Sequence, residues 1–304
     1  MPRHPPSPQP LPPERLRDLQ RDLTSRIVGQ QEVHDRLVRA VLRLELGAVP
    51  PGGSERCFLL AGPTGVGKTE TAETLATLLF GAGCFVRFDC AEFKTLERVN
   101  DLLGSRTGDP GRFRQAFASV SRGVWLFDEI EKAHPEFVHL FLAMTEANRV
   151  TMADGETLDL QHVYLMVTSN LGSAEILGRE HLPFTSLENR VIRCVERHFR
   201  PELLRRFGKP FVFRPLGRAT HERIVALHLG RFLQWHEAQG RRINCGTEVV
   251  RFLAAVGFSE RLGAGPLLGA IRQFVGDAIA ECLLAGEPAS GRLVVEGSKL
   301  RLIP

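Results

Sequence analysis

The chain has 304 residues, 43% hydrophobic and 24% charged, with a formal net charge of +4 carried mainly by arginine. That is enough for one large domain or a large and a small one, and the balanced count of acids and bases disfavours nucleic acid as a partner. No apolar run reaches the roughly 18 residues of a membrane span, and the start, "MPRHPPSPQPLPPERL", lacks the apolar core of a secretory signal.

Residues 1–12 read as a disordered or polyproline-like tail, with a helix able to begin only at Pro13, so 1–24 is taken as tail plus leading helix. From Arg56 short apolar runs alternate with amphipathic stretches. "CFLLAG" (57–62) predicts a buried strand, then a Gly-rich turn and the helix "KTETAETLATLLF". "CFVRFDC" (84–90) predicts a second strand. "GVWLFDE" (123–129) predicts a third, entered from the helix "RFRQAFASVS". The next helix carries Pro135 in its first turn, with Phe137, Leu140, Phe141 and Met144 at helical spacing. "HVYLMVTSN" (162–170) and "PFVFRP" (210–215) predict the fourth and fifth strands. Buried strands alternating with helices imply a largely parallel sheet sandwiched by helices, an α/β domain over 25–215. After Pro215 the pattern is helical (219–239, 247–256, 265–285) until the final hairpin "GRLVVEGSKLRLIP", giving a small domain over 216–304. Six scattered cysteines (Cys57, Cys84, Cys90, Cys194, Cys245, Cys282) form no CxxC pair, which fits a reduced cytoplasmic setting without disulfide or zinc.

"GPTGVGKT", from Gly62 to Thr69, fits the Walker A pattern G-x-x-x-x-G-K-[ST] between a predicted strand and a predicted helix, the context the pattern needs. Gly65 and Gly67 let backbone N–H groups curl round phosphates at a helix N-terminus. Lys68 adds a point charge and Thr69 a hydroxyl for Mg²⁺. The candidate nucleotide-binding stretch is Gly62, Pro63, Thr64, Gly65, Val66, Gly67, Lys68, Thr69 and Glu70. Asp128, ending a buried strand in "VWLFDE", is the expected Mg²⁺ partner, and Glu129 is placed to polarise water. A carboxylate pair at a strand end can be only a helix cap, but about sixty residues after a P-loop the catalytic reading prevails. Asn170 closes the fourth strand at the same sheet edge, where its amide can orient the attacking water; alone it would be read as a turn former.

With these residues in place the chain resembles an AAA+ ATPase of the Clp type, nearest to the second ATPase module of the ClpB and ClpA family. The matching stretches are "RIVGQQE" (26–32), "GPTGVGKTE" (62–70), "FDEIEKAHPE" (127–136), "TSNLGS" (168–173), "FRPELLRRF" (199–207) and "LGAGPL" (262–267). The resemblance implies an ATP-hydrolysing ring, normally a hexamer, that remodels or unfolds a protein substrate. It implies that Ile27 and Val28 flank the adenine and that Arg206 reaches the γ-phosphate of a neighbouring subunit. Relatives commonly carry Asn at the position of Arg205, which leaves open which arginine crosses the interface.

The chain also departs from the family. Where relatives have the lid arginine of Gly-Ala-Arg it has Gly265; Arg261 and Arg272 lie near in sequence, but simple loss is the favoured reading. No Ile-Gly-Phe or Ile-Gly-Leu docking tripeptide follows Asn170, which disfavours a protease partner. A single stand-alone module is expected, without an N-terminal substrate domain, first ATPase module or coiled-coil middle domain. In "LLGSRTGDPGRF" (102–113), relatives place a longer loop whose Gly-Tyr-Val-Gly tip grips polypeptide in the ring's pore. A flexible polar loop is expected here, offering Arg106, Asp109 and Arg112 with Phe113 as its only aromatic; the sole tyrosine, Tyr164, falls in a strand. Two readings follow: a protein-remodelling ATPase, or an ATP-controlled assembly protein that threads nothing.

Overall fold

The computed structural model describes residues 11–48, 55–106, 108–259 and 263–303. Most of the Pro-rich tail (1–10), Thr107, Arg261 and Leu262 lie outside them. In chain order the strands are β1 (Cys57–Ala61), β2 (Phe85–Asp89), β3 (Gly123–Asp128), β4 (Arg149–Thr151), β5 (Thr157–Asp159), β6 (Val163–Ser169), β7 (Phe211–Val212), β8 (Ile243–Cys245), β9 (Gly291–Glu296) and β10 (Lys299–Ile303). The helices are α1 (Pro13–Arg26), α2 (Gln31–Glu45), α3 (Lys68–Phe80), α4 (Leu96–Leu103), α5 (Arg112–Ser119), α6 (Pro135–Ala147), α7 (Ser173–Ile176), α8 (Phe184–His198), α9 (Pro201–Phe207), α10 (Arg218–Ala238), α11 (Thr247–Val256), α12 (Gly265–Ala270) and α13 (Gly276–Leu284). Contacts group the chain into two compact units. Among the described residues, one holds 11–48, 55–62, 67–106, 108–176 and 183–213; the other holds 63–66, 177–182, 214–259 and 263–303.

In the first unit the strands lie in the order β2-β3-β6-β1-β7, all parallel. Every residue of β1, β3 and β6 is buried, which is why these strands read as unbroken apolar runs rather than as alternations. Helix α1 starts at Pro13 as expected, and packs its Leu16, Leu19 and Leu23 stripe inward beside α3. Below β3 lies an aromatic core of Phe88, Phe113, Trp125, Phe127, Phe137 and Phe141, with neighbouring rings 5.0–6.3 Å apart. The β4–β5 hairpin has no counterpart among the predicted elements; each strand is only three residues long, too short to show a period.

Within the second unit the strands do not stop at Pro215 until the terminal hairpin, as the sequence suggested. Ile243–Cys245 forms β8, which pairs parallel with β9 and makes a three-stranded sheet in the order β10-β9-β8. Three residues between a pair of arginines and a glycine carry too little pattern to announce a strand. The expected helix 265–285 is α12 and α13 joined by one π-helical turn over Ile271–Val275, which places Arg272 on the exposed side. Gly265 is the first residue of α12, and a Cβ there would meet nothing within 4 Å, so steric room does not demand glycine at this position.

The segment after α4 is closed on itself rather than a flexible polar loop. Ser105 N–H donates to the Asp109 carbonyl (2.9 Å), Asp109 N–H to Ser105 Oγ (3.0 Å) and Gly111 N–H to Asp109 Oδ1 (2.9 Å). Gly104 (φ +76°) and Gly111 (φ +79°) lie so close that a Cβ on Gly104 would stand 2.4 Å from the Asp109 carbonyl oxygen. The β4–β5 hairpin is pinned to the same place: Ala153 N–H donates to the Leu103 carbonyl (3.1 Å), and Arg114 pairs with Asp154 (2.6 Å) and Glu156 (2.8 Å). Arg112 is taken up by Glu92 (2.7 Å), and Phe113 is fully buried against Trp125. Gly104→Ala is expected to cost about 2 kcal/mol from the combined clash and left-handed strain. Urea unfolding checks this; an unchanged midpoint would mean the turn is not closed as described.

Candidate functional site

Because β3, β6 and β1 are neighbours, their C-terminal ends bring Asp128, Asn170 and Gly62 to one edge of the sheet, where parallel α/β sheets hold their ligands. The chain leaves β1 at Gly62 and enters α3 through Gly67, whose φ of +100° is a left-handed position that glycine fills without a Cβ penalty. No side chain caps the N-terminus of α3, and a helix start of this kind suits an anion. Ile27 is buried and its Cγ2 lies 3.5 Å from where a Gly67 Cβ would be, while Val28 is half-buried. Val66 and Pro63 are buried, Thr64 is exposed, and Gly65 and Glu70 are half-buried.

Lys68, the first residue of α3, is 7% exposed. Its Nζ donates to the Gly62 carbonyl (2.7 Å) and to Asn170 Oδ1 (2.9 Å). Burial pulls its pKa down to about 8, against the opposing pull of Glu131, Asp128 and Glu129. Asn170 in turn donates from Nδ2 to Glu129 Oε1 (2.6 Å), so one amide links the ammonium and the carboxylate. Glu129 sits at φ +59°, a left-handed conformation rare outside glycine and typical of strained functional turns. Its other oxygen accepts a hydrogen bond from Lys132.

Thr69 Oγ1 stands 3.4 Å from both carboxylate oxygens of Asp128. Two hard oxygen donors facing each other at that spacing suit Mg²⁺ and its water shell. Among the described residues no cluster of three or more His, Cys, Asp or Glu is preassembled to hold a metal alone. A Mg²⁺ here would therefore lean on phosphate oxygens and water as well. The candidate site thus gathers Gly62, Gly67, Lys68, Thr69, Asp128, Glu129 and Asn170. Arg206 stands outside this cluster. It is ion-paired with Glu146 and, with Arg36, Arg39, Arg43, Arg205 and Lys209, lines a groove of about 580 Å³. Arg205 is exposed and has no partner among the described residues.

Three contributors escaped the sequence reading. Arg87 pairs with Asp128 (2.5 Å) from β2, where an arginine inside "FVRFD" was the only hint. Thr168 donates its hydroxyl to Asp128 and accepts from Glu129 N–H (2.9 Å), locking the turn between them. Glu131 accepts from Asn170 N–H (2.9 Å). No helix among the described residues is long and apolar enough to cross a membrane.

Comparison with known proteins identifies the family. Residues 54–209 match the AAA domain (Cdc48 subfamily), and residues 216–295 match the C-terminal, D2-small domain of ClpB protein. The chain is 33% identical over 297 residues to the chaperone protein ClpB of Vibrio vulnificus strain CMCP6, covering 95% of this chain and 34% of that protein. It is 33% identical over 290 residues to chaperone protein ClpB 1 of Thermosynechococcus vestitus, covering 93% of this chain and 33% of that protein. A closed-state cryo-EM reconstruction of Hsp104 with ATPyS and FITC casein matches with a TM-score of 0.83 at 30% identity, over 96% of this chain and 52% of that one. The chain therefore spans about a third of the length of the curated relatives it matches.

Proposed function

Because the chain belongs to the AAA family of ATPases, we propose that it binds ATP with Mg²⁺, hydrolyses it to ADP and phosphate, and uses the cycle to remodel a protein partner. The observation that carries this is the hydrogen-bonded line Lys68–Asn170–Glu129 beside the uncapped start of α3. Backbone N–H groups from Gly65 to Thr69 and the Lys68 ammonium take the β- and γ-phosphates. Phosphate oxygens are stronger acceptors for an ammonium than the neutral amide and carbonyl that Lys68 now holds, so nucleotide draws Lys68 off Asn170. Thr69 and Asp128 are the residues that would hold Mg²⁺, which supplies charge neutralisation on the phosphates as the γ-phosphoryl group leaves. Glu129 polarises the attacking water and Asn170 orients it. Ile27 and Val28 are assigned to the adenine.

Assembly is part of the proposal. The Clp-type resemblance implies a homo-oligomeric ring, and we take it as hexameric, with Arg206 serving the neighbouring subunit's ATP. The partner is a protein substrate or adaptor, with neither nucleic acid nor membrane needed. A cytoplasmic setting suits six cysteines that are all unpaired.

A second reading has its own support. The 104–111 turn is closed and Phe113 is buried, which favours ATP-controlled assembly without threading. One experiment separates the two: purified chain, ATP and a tagged reporter protein, with phosphate release and reporter unfolding followed together. ATP-driven unfolding is the expected result. ATP-dependent assembly without unfolding would transfer the proposal to the second reading, and a sample that neither turns over ATP nor changes its assembly with ATP would defeat both.

A further inference from the structure

From the same site we infer that Glu131 is a positioning residue for ATP hydrolysis, holding the main chain of Asn170 so that its amide faces Glu129 at the phosphate site. The inference rests on the ATPase reading above and assigns Glu131 no contact with nucleotide.

Asn170 lies just beyond the end of β6, where ladder hydrogen bonds have run out. Its backbone is instead held by side chains. Glu131 Oε1 accepts its N–H (2.9 Å), and its carbonyl accepts from the Ser173 hydroxyl and from Ser173 N–H (3.2 Å). Glu131 belongs to one 3₁₀ turn, Ile130–Lys132, which opens directly after the left-handed Glu129. That turn is braced by Lys132 N–H to the Glu129 carbonyl (2.9 Å), Ala133 N–H to the Ile130 carbonyl (3.1 Å) and His134 N–H to the Phe93 carbonyl (2.8 Å). Two residues of a braced turn therefore grip Asn170 at two points. Glu129 takes the side-chain amide (2.6 Å) and Glu131 the main-chain N–H. Ser173 holds the carbonyl side of Asn170, and Glu131 adds a grip on its N–H side that limits how far the residue can tilt.

The second carboxylate oxygen sharpens the inference. Glu131 Oε2 is buried and has no hydrogen-bond partner among the described residues. A buried acceptor left unmade opposes folding, and packing alone would be served as well by an apolar side chain. What an apolar side chain could not supply is the bond to Asn170.

The test uses the full chain with Glu131→Ala, Glu131→Gln and Asn170→Ala. Glutamine keeps an acceptor oxygen for Asn170 N–H, so its kcat should stay within about threefold of wild type, as for a retained geometry. Alanine releases the N–H side of Asn170, and kcat should fall about tenfold to a hundredfold, the usual result of a small misplacement at a reacting centre. Affinity for a fluorescent ATP analogue, measured at about pH 6 so that Lys68 keeps its charge without the help of Glu131, should change far less than kcat, because no group assigned to the phosphates is removed. On the Asn170→Ala background Glu131→Ala should add no further loss, since residues acting through one another are non-additive. A merely structural role would lower affinity with kcat and multiply with Asn170→Ala, and either result overturns the inference. Should the alanine variant fail to fold, Glu131→Met keeps the volume without the acceptor and takes its place. Turnover in wild type with an unimpaired alanine variant defeats this inference alone; absence of turnover in wild type defeats the ATPase reading with it.

Discussion

Glu129→Gln is expected to bind ATP as tightly as wild type and to hydrolyse it about a hundredfold to ten-thousandfold more slowly, the range for loss of a general base. The substitution keeps volume and leaves Lys68, Thr69 and Asp128 in place, so the phosphate cradle and the Mg²⁺ donors are unaffected. What it removes is the one carboxylate at this edge that Asn170 presents towards Lys68. ATP should then accumulate on the protein, and any assembly that ATP promotes should become more persistent. Filter binding of labelled ATP, single-turnover phosphate release and size-exclusion chromatography read the three consequences. Wild-type hydrolysis in this variant would remove Glu129 from its role and point to another base.

What could be read from the chain beforehand was whatever is written in consecutive residues. A buried run ending in Gly62-Pro63-Thr64-Gly65-Val66-Gly67-Lys68-Thr69 joins strand, turn and helix within one short segment, and Asp128-Glu129 closes another fully buried strand. Neighbouring strands decided the remainder. Arg87 reaches Asp128 because β2 pairs with β3 in a register that sets Arg87 opposite Leu126 and Asp89 opposite Asp128. "DEIEK" displays three acids in four residues beginning at Asp128, but only the adjacency of β3 and β6 selects Glu131 as the one that meets Asn170 N–H. The closure of the 104–111 segment is hidden in the sequence for a different reason. Its Gly, Ser, Asp and Pro content signals a turn, while the hydrogen bonds that close it depend on which side chain folds back on which amide. That correction also moves Phe113 from a loop's exit into the aromatic core, and with it goes the segment's only aromatic contact for a substrate.

Arg206→Ala is expected to leave ATP binding intact and to lower turnover about a thousandfold or more, the scale of an arginine supplied to a transferring phosphoryl group. Arg205→Ala should lower it only a few fold. The two side chains differ within one subunit. Arg206 is half-buried and held by Glu146, while Arg205 is exposed and unpartnered among the described residues. An arginine that must reach one oxygen on a neighbouring subunit gains from being held near its working position, because less side-chain entropy is then lost on engagement. A surface salt bridge such as Arg206–Glu146 contributes little and is easily exchanged for a phosphate. Complementation makes the role in trans testable. Neither Lys68→Ala nor Arg206→Ala subunits should turn over ATP alone. Mixed at equal amounts they should recover activity, since about a quarter of randomly formed head-to-tail interfaces would pair an intact Lys68 with an intact Arg206. A mixture as inactive as its parts would place Arg206 in cis. Should Arg205→Ala prove the more damaging change, the exposed arginine is the one that crosses, and Glu146 then holds Arg206 for the fold alone.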